Sequence, residues 1–369
     1  MVSILIITAL TAFLMTYFLT RIVILLAEKF SIFDMPASRR KVHKKPVLTM
    51  GGLSFIATFY LMIGGGLILY PGFVNQILYH NITALLVSQI LIIGTGIYDD
   101  IKGLNARIKS LFQIISSIIL IHYLGFSLNV LTNPFGGEID LGIFSVPITI
   151  LWLVGITNAI NLIDGLDGLA AGIVLISSFF LSIASIYQGQ EGVAVLLIIL
   201  TFSMLAFLKF NFYKARIFMG DTGSLFLGFT IATLSLLISR KTTVSLALFV
   251  PIISLGIPIM DTSFSFIRRL LNKSNPFVGD KRHIHHILLR SGLSHPQSVL
   301  FLWLITILFN IISLAFMVVH GRYSLLILLF VTIIIIIAIL SLRFLEGKNI
   351  TYRKRYGDER IADIYEYAE

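Results

Sequence analysis

The sequence predicts an all-α, polytopic integral membrane protein, and three observations point that way. Of 369 residues, 57% are hydrophobic and only 12% are charged, about half the charged share of an ordinary soluble domain. Apolar runs such as 323–342 reach the roughly 18 residues that a helix needs to cross a bilayer. The basic residues are also distributed unevenly: 24 of the 28 Lys and Arg fall in one alternating set of loops and the C-terminal tail. A soluble globular domain is excluded. The absence of cysteine also excludes disulfides, iron–sulfur clusters and thiolate zinc, so any metal must use oxygen or nitrogen ligands.

Eleven spans are expected, at 3–27, 50–70, 82–98, 110–126, 143–161, 168–187, 193–208, 224–239, 243–262, 298–319 and 323–342. Hydrocarbon offers backbone N–H and C=O groups no partner outside their own helix, which makes each of them α-helical. The first is too long for a removed signal peptide and lacks its basic flank and cleavage pattern, so it counts as a span. Only Arg240, Lys241 and Arg322 fall in the opposite loops, and Arg21 lies inside the first span. The positive-inside rule then puts the N-terminus outside and the tail from Arg343 in the cytoplasm. One membrane domain, 1–342, is expected, with cytoplasmic loops 28–49, 99–109, 158–167, 209–223 and 263–297, followed by a cytoplasmic tail, 343–369. The net charge of +10 is thus a matter of topology, not a nucleic-acid footprint. The tail cluster Arg353, Lys354 and Arg355 either sets topology or meets anionic lipid.

The carboxylates are more informative, because orientation does not require them. Fifteen of the 18 acidic residues fall on the cytoplasmic side. An Asp at a helix centre costs roughly 2.5–3.5 kcal/mol, so boundary carboxylates are functional candidates. They are Asp99, Asp100, Asp164, Asp167, Asp221 and Asp261.

In chain order, the basic run from Arg39 to Lys45, with His43 and Lys44, precedes Thr49, Met50, Gly51 and Gly52 at the start of the second span. The third span ends in Gly94, Gly96, Asp99 and Asp100; a divalent cation or a lysine such as Lys102 would keep both carboxylates ionised, the alternative being a solvated helix end. The outer loop 127–143 reads as a turn or hairpin. Between the fifth and sixth spans, Asn158, Asn161, Asp164 and Asp167 recur every third residue, a ladder of oxygen ligands suited to a hard cation. Mg²⁺ takes one or two protein oxygens plus water and substrate phosphates. The interleaved Gly165 and Gly168 would let a ligand approach closely, although Gly168 and Gly172 also read as helix packing.

Asn211 and Phe218 precede Gly220, Asp221, Thr222, Gly223 and Ser224. This is a helix N-terminus, whose free N–H groups favour a phosphate and whose Asp221 could share a metal with it; a plain N-cap is the alternative. The last cytoplasmic loop carries Arg282, His283, His285 and His286, a group suited to a polyanion. A regular helix cannot turn those three histidines to one face, which disfavours zinc. The lone His80, His122, His295 and His320 are expected to carry no chemistry.

Taken together, these segments resemble the polyprenyl-phosphate N-acetylhexosamine-1-phosphate transferases, the group that includes phospho-MurNAc-pentapeptide transferase. The resemblance runs from about Asp34 to Ser294. The pattern His-Ile-His-His at 283–286 and the eleven spans are similar to the branch that uses UDP-GlcNAc. Membership implies Mg²⁺, with Mn²⁺ as a substitute, a UDP-N-acetylhexosamine donor, a polyprenyl phosphate acceptor and an active site facing the cytoplasm, in the cell membrane. It implies Asn161 and Asp221 as metal ligands and Asp99 and Asp100 as the catalytic pair, with Asp164, Asp167 and His283 beside them. Asn211 and Phe218 would hold the uracil, while Lys44, Thr49, Asn158, Arg282, His285 and His286 would complete the substrate site. A homodimer is left open. An ion-coupled transporter would place its carboxylates nearer the bilayer midplane, and an intramembrane aspartyl protease fails because Phe218 stands where its motif needs glycine.

Overall fold

The computed structural model describes residues 1–34, 46–69, 79–125, 127–132, 138–240, 249–272 and 283–318. They form helices α1 (Val2–Lys29), α2 (Gly52–Leu69), α3 (Tyr79–Lys102), α4 (Ala106–Leu124), α5 (Ser145–Ile163), α6 (Leu169–Tyr187), α7 (Glu191–Asn211), α8 (Gly220–Arg240), α9 (Phe249–Ser254), α10 (Gly256–Leu271), α11 (Ile284–Arg290) and α12 (His295–Val318). Eight of these helices are long and apolar enough to cross a membrane, and α2 contributes a shorter apolar stretch, Gly52–Gly66. Where they are described, the expected spans up to 298–319 fall on helices, and 323–342 lies outside the described residues. The protein is a mostly helical, polytopic membrane protein.

The ninth expected span is two helices. The chain breaks at Leu255 between α9 and α10, where freed backbone carbonyls would be costly in an apolar setting. Side chains from neighbouring helices satisfy them. Ser254 O accepts from Ser177 Oγ at 2.9 Å and from Asn310 Nδ2 at 3.2 Å, and Val250 O accepts from Ser313 Oγ at 2.9 Å.

The bundle is organised around α8, the most enclosed of the candidate spans, with 94% of its apolar window buried. Helices α2, α3, α5, α6 and α7 pack against it. Polar pairs knit the outer helices together: Thr16 Oγ1 donates to Thr58 Oγ1 and Thr20 Oγ1 to Ser54 Oγ, each at 2.9 Å, between α1 and α2. Such bonds contribute roughly 0.6 kcal/mol each in membrane helices. They specify register more than they stabilise.

Two short antiparallel ladders cap the helices. Phe33–Asp34 (β1) pairs with Val47–Leu48 (β2), and Val130–Thr132 (β3) pairs with Glu138–Asp140 (β4). The second is the outer hairpin expected from sequence. The first delivers the chain into α2 beside the start of α8: Phe218 N donates to Leu48 O at 2.8 Å and Gly51 N to Phe218 O at 2.9 Å.

Candidate functional site

The site begins with a backbone contact. Gly96 of α3 lies so close to α8 that an added Cβ would sit 2.4 Å from Thr222 Cα. That approach lets Asp100, one turn further along α3, reach the start of α8 and accept from Asp221 N at 2.7 Å, from Thr222 N at 3.0 Å and from the Thr222 hydroxyl. Gly220, with φ +73°, faces the same carboxylate, and a Cβ there would lie 2.6 Å from Asp100 Oδ2. Asp100 therefore caps α8 from a neighbouring helix. The N–H groups of Asp221 and Thr222, which the sequence reading offered to a phosphate, are already bonded to it.

Asp99 points the other way. It is 7% exposed; its Oδ1 accepts from Leu104 N and its Oδ2 meets the ammonium of Lys109. The same Nζ lies 3.5 Å from Asp221 Oδ2. The lysine that joins the carboxylates is thus Lys109, from the first turn of α4, whereas Lys102 lies over the Tyr98 ring at 5.6 Å. Asn161, in the last turn of α5, contacts Asp221 Oδ1 through Nδ2 and donates from that atom to Ser224 Oγ at 2.8 Å. Four helix ends, from α3, α4, α5 and α8, thus meet at Asp221.

Asp164 follows directly after α5 and makes no hydrogen bond or ion pair within the described residues. Loss of solvent first, and then the negative charges of Asp221, Asp167 and Asp100, push its pKa up to about 8. Among the described residues Lys109 is the one ammonium paired with these carboxylates, and it meets Asp99 and Asp221 but not Asp100 or Asp164. Asn161 Oδ1 accepts no hydrogen bond among the described residues. Excess negative charge beside a free amide oxygen fits a divalent cation at Asn161 and Asp221. No group of three or more His, Asp or Glu side chains that could hold a metal ion is found among the described residues.

The other expected residues line adjoining loops. Asp167 Oδ2 accepts from Ala215 N at 2.9 Å. Asn211, 2% exposed, accepts from Gly168 N at 3.1 Å and donates to Ile217 O at 3.0 Å, so its amide ties the turn after α5 to the segment that carries Phe218. Thr49 is buried beside Leu48, next to that segment. Asn158 is paired reciprocally with the buried Gln113 of α4, at 2.7 and 3.2 Å, which sets α4 against α5 one turn below Lys109 and Asn161. His283 Nδ1 is 2.8 Å from Asp261 Oδ2, and Ile284 N donates to Asp261 Oδ1 at 2.6 Å. His285 is buried, packs on Gly165 and stacks with His283, while His286 lies against it at 4.2 Å between ring centroids. Burial, followed by the charges of His286, His283 and His295, holds the His285 pKa well below the usual imidazole range. Lys44 and Arg282 lie outside the described residues.

Lys109, Gln113 and His295 did not stand out as site residues in the sequence. Lys109 appears there only as one of several loop cations. His295 is separated from Asp167 by 128 residues, and no local spacing hints at their contact.

Known proteins resemble the chain along most of its length. A family described as Glycosyl transferase family 4 matches residues 82–239, which span Asp99 to Asp221. The chain is 44% identical over 294 residues to a Bacillus subtilis (strain 168) protein named "Probable undecaprenyl-phosphate N-acetylglucosaminyl 1-phosphate transferase", covering 79% of each. It is 33% identical over 335 residues to a Mycobacterium leprae decaprenyl-phosphate N-acetylglucosaminephosphotransferase, covering 83% of each. It is 31% identical over 301 residues to a Clostridium perfringens (strain SM101 / Type A) phospho-N-acetylmuramoyl-pentapeptide-transferase, covering 76% of this chain and 85% of that one. With its polar side chains gathered at the ends of apolar helices and relatives of this kind along most of its length, the chain belongs to the polyprenyl-phosphate N-acetylhexosamine-1-phosphate transferase family.

Proposed function

We propose that the protein transfers N-acetylhexosamine-1-phosphate, and specifically GlcNAc-1-phosphate, from a UDP-sugar to polyprenyl (undecaprenyl) phosphate. The products are polyprenyl-diphosphate-sugar and UMP, and the lipid product initiates a cell-envelope glycopolymer. The observation that carries this reading is the meeting of Asp99, Lys109, Asn161 and Asp221 from four helix ends. The names of the relatives supply the chemical class. The bias of basic residues to one side supports eleven spans, an outside N-terminus and an active site on the cytoplasmic face of the cell membrane. The carboxylates sit at helix ends, not at midplane depth, which is where a headgroup reaction needs them and a transporter does not.

Two anions must meet, so positioning and charge neutralisation dominate the barrier. A phosphate monoester with a second pKa near 6 is mostly dianionic at neutral pH. The acceptor needs no general base. One of its oxygens attacks the β-phosphorus of the donor, the bond to the bridging oxygen breaks, and UMP leaves with that electron pair. Mg²⁺, or Mn²⁺ in its place, held by Asn161 and Asp221, would supply neutralisation of the diphosphate charge. Lys109 holds Asp99 and Asp221 side by side, and Asp100 fixes the backbone from which Asp221 projects. Asp99 positions and does not deprotonate. Burial and the negative charges of Asp221, Asp167 and Asp100 push the Asp164 pKa up while no cation is bound, and a cation on Asp221 would oppose that rise. His283, fixed by Asp261, would meet the donor phosphates, as would Lys44 and Arg282, which the resemblance assigns to the substrate.

The test is direct. Purified protein is incubated with radiolabelled UDP-GlcNAc, Mg²⁺ and polyprenyl phosphate. Label should pass to the lipid phase in equal amount with released UMP; label that stays wholly water-soluble refutes the proposal.

A further inference from the structure

We propose that His295 is a positioning residue for the donor nucleotide, latching the turn that carries Asp164 and Asp167; this rests on the function proposed above. The turn 164–168 joins α5 to α6 with few bonds of its own: Gly165 N donates to Ile163 O at 2.8 Å and Leu169 N to Leu166 O at 3.0 Å. The next two donors are satisfied by side chains from distant parts of the chain. Asp167 N donates to His295 Nε2 at 3.1 Å and Gly168 N to Asn211 Oδ1 at 3.1 Å. A second contact from His295 goes to the same residue, with Nε2 3.9 Å from Asp167 Oδ1.

The acceptor role fixes the tautomer. Nε2 takes the Asp167 hydrogen bond, so the ring proton sits on Nδ1, which is buried with no partner within the described residues. Keeping an unpaired donor there costs stability, and a residue that only began α12 would not require it. The ring also lies against Tyr213, at 5.5 Å between centroids and 38° between planes, so His295 grips both the 164–168 turn and the 211–217 segment. His285 also packs on the turn, since a Cβ on Gly165 would lie 2.6 Å from His285 Nε2. Held by two imidazoles, the turn carries Asp164, whose carboxylate has no hydrogen-bond or ion-pair partner among the described residues and feels the charges of Asp221, Asp167 and Asp100. Loss of the latch loosens the turn and, through the Gly168–Asn211–Ile217 bonds, the Asn211 to Phe218 segment that the family resemblance gives to the uracil, and leaves Asp99, Lys109 and Asp221 in place.

Two substitutions separate the latch from simple packing. His295→Phe keeps a ring against Tyr213 and removes the acceptor; His295→Gln restores an acceptor oxygen at similar reach. Hydrogen–deuterium exchange on the full-length protein in detergent reads the Asp167 amide without any substrate. A single net hydrogen bond is worth a factor of about 2–10 in an opening equilibrium, so exchange of the peptide containing 164–168 should rise by about that factor in His295→Phe and return towards wild type in His295→Gln. Steady-state kinetics should show KM for UDP-GlcNAc rising by a similar factor in His295→Phe, with kcat and the KM for polyprenyl phosphate little changed. Unchanged exchange in His295→Phe, equal behaviour of the two variants, or a fall in kcat with constant KM would each overturn the proposal. Wild-type protein without turnover would overturn the function reading and the nucleotide role together, while the exchange result would still decide whether the latch exists.

Discussion

Gly96→Ala is the substitution whose effect follows most directly from the geometry. The new methyl carbon would stand 2.4 Å from Thr222 Cα and 2.8 Å from Thr222 N, where ordinary contact begins at 3.4 Å. Both obstructing atoms are backbone, so α3 and α8 must separate by about 1 Å, at an overpacking cost of about 1–3 kcal/mol. The bonds from Asp221 N and Thr222 N to Asp100, now 2.7 and 3.0 Å, would stretch beyond hydrogen-bond range. Asp221 would shift with them, and a 1 Å misplacement of a reacting group costs about 10²-fold in rate. Gly94 provides the control: it lies two residues earlier in the same helix, and a Cβ there meets nothing within 4 Å. Gly94→Ala gains roughly 0.8–1.0 kcal/mol of helix propensity and should keep full activity. The assay is turnover of labelled UDP-GlcNAc in detergent, paired with thermal unfolding. Wild-type turnover in Gly96→Ala, or two alanine variants that cannot be told apart, would refute the packing account.

Lys109→Met leaves Asp99 and Asp221 without their shared cation; breaking a buried pair of this kind costs about 3 kcal/mol, so both turnover and the unfolding temperature should fall, and an unchanged unfolding temperature would count against the pairing. Asp221→Asn should abolish turnover while circular dichroism and size-exclusion behaviour stay native, and normal activity with Mg²⁺ would reject its metal role. Asp164 predicts a pH dependence. Its folded pKa, about 8, stands above the roughly 3.9 of an unfolded chain, so between those values the native state holds a proton that the unfolded state has lost. Stability without divalent cation should then decline as pH rises from about 4 through about 8, by at most about 1.4 kcal/mol per unit. Asp164→Asn removes that part of the slope, and identical pH profiles of stability for variant and wild type would contradict the shift.

The membrane fold was legible because spans are read from composition alone: long apolar runs have one solution in hydrocarbon. The break at Leu255 was not read, although Pro251, Gly256 and Pro258 mark it, because a broken helix is tolerable only if Ser177, Asn310 and Ser313 arrive to bond its carbonyls. Those partners are set by tertiary packing. The carboxylates of the site were legible for a related reason, since charge at a bilayer boundary needs a cause. Their partners were not. Lys102 is the nearer lysine in sequence, yet it is carried outward over Tyr98 while the turn at 103–105 brings Lys109 back to Asp99. Asp100 looked like half of a catalytic pair, and the structure shows the same carboxylate capping α8 from the side. His295 seemed isolated because a contact across 128 residues leaves no periodic trace.

The central claim is that Asn161 and Asp221 hold a divalent cation that also binds the donor diphosphate. Pulsed electron paramagnetic resonance of Mn²⁺ bound to the protein with UDP-GlcNAc tests it most directly. The account predicts phosphorus-31 couplings on the protein-bound ion, lost in Asp221→Asn. Bound Mn²⁺ without phosphorus coupling, or couplings that survive Asp221→Asn unchanged, would contradict it.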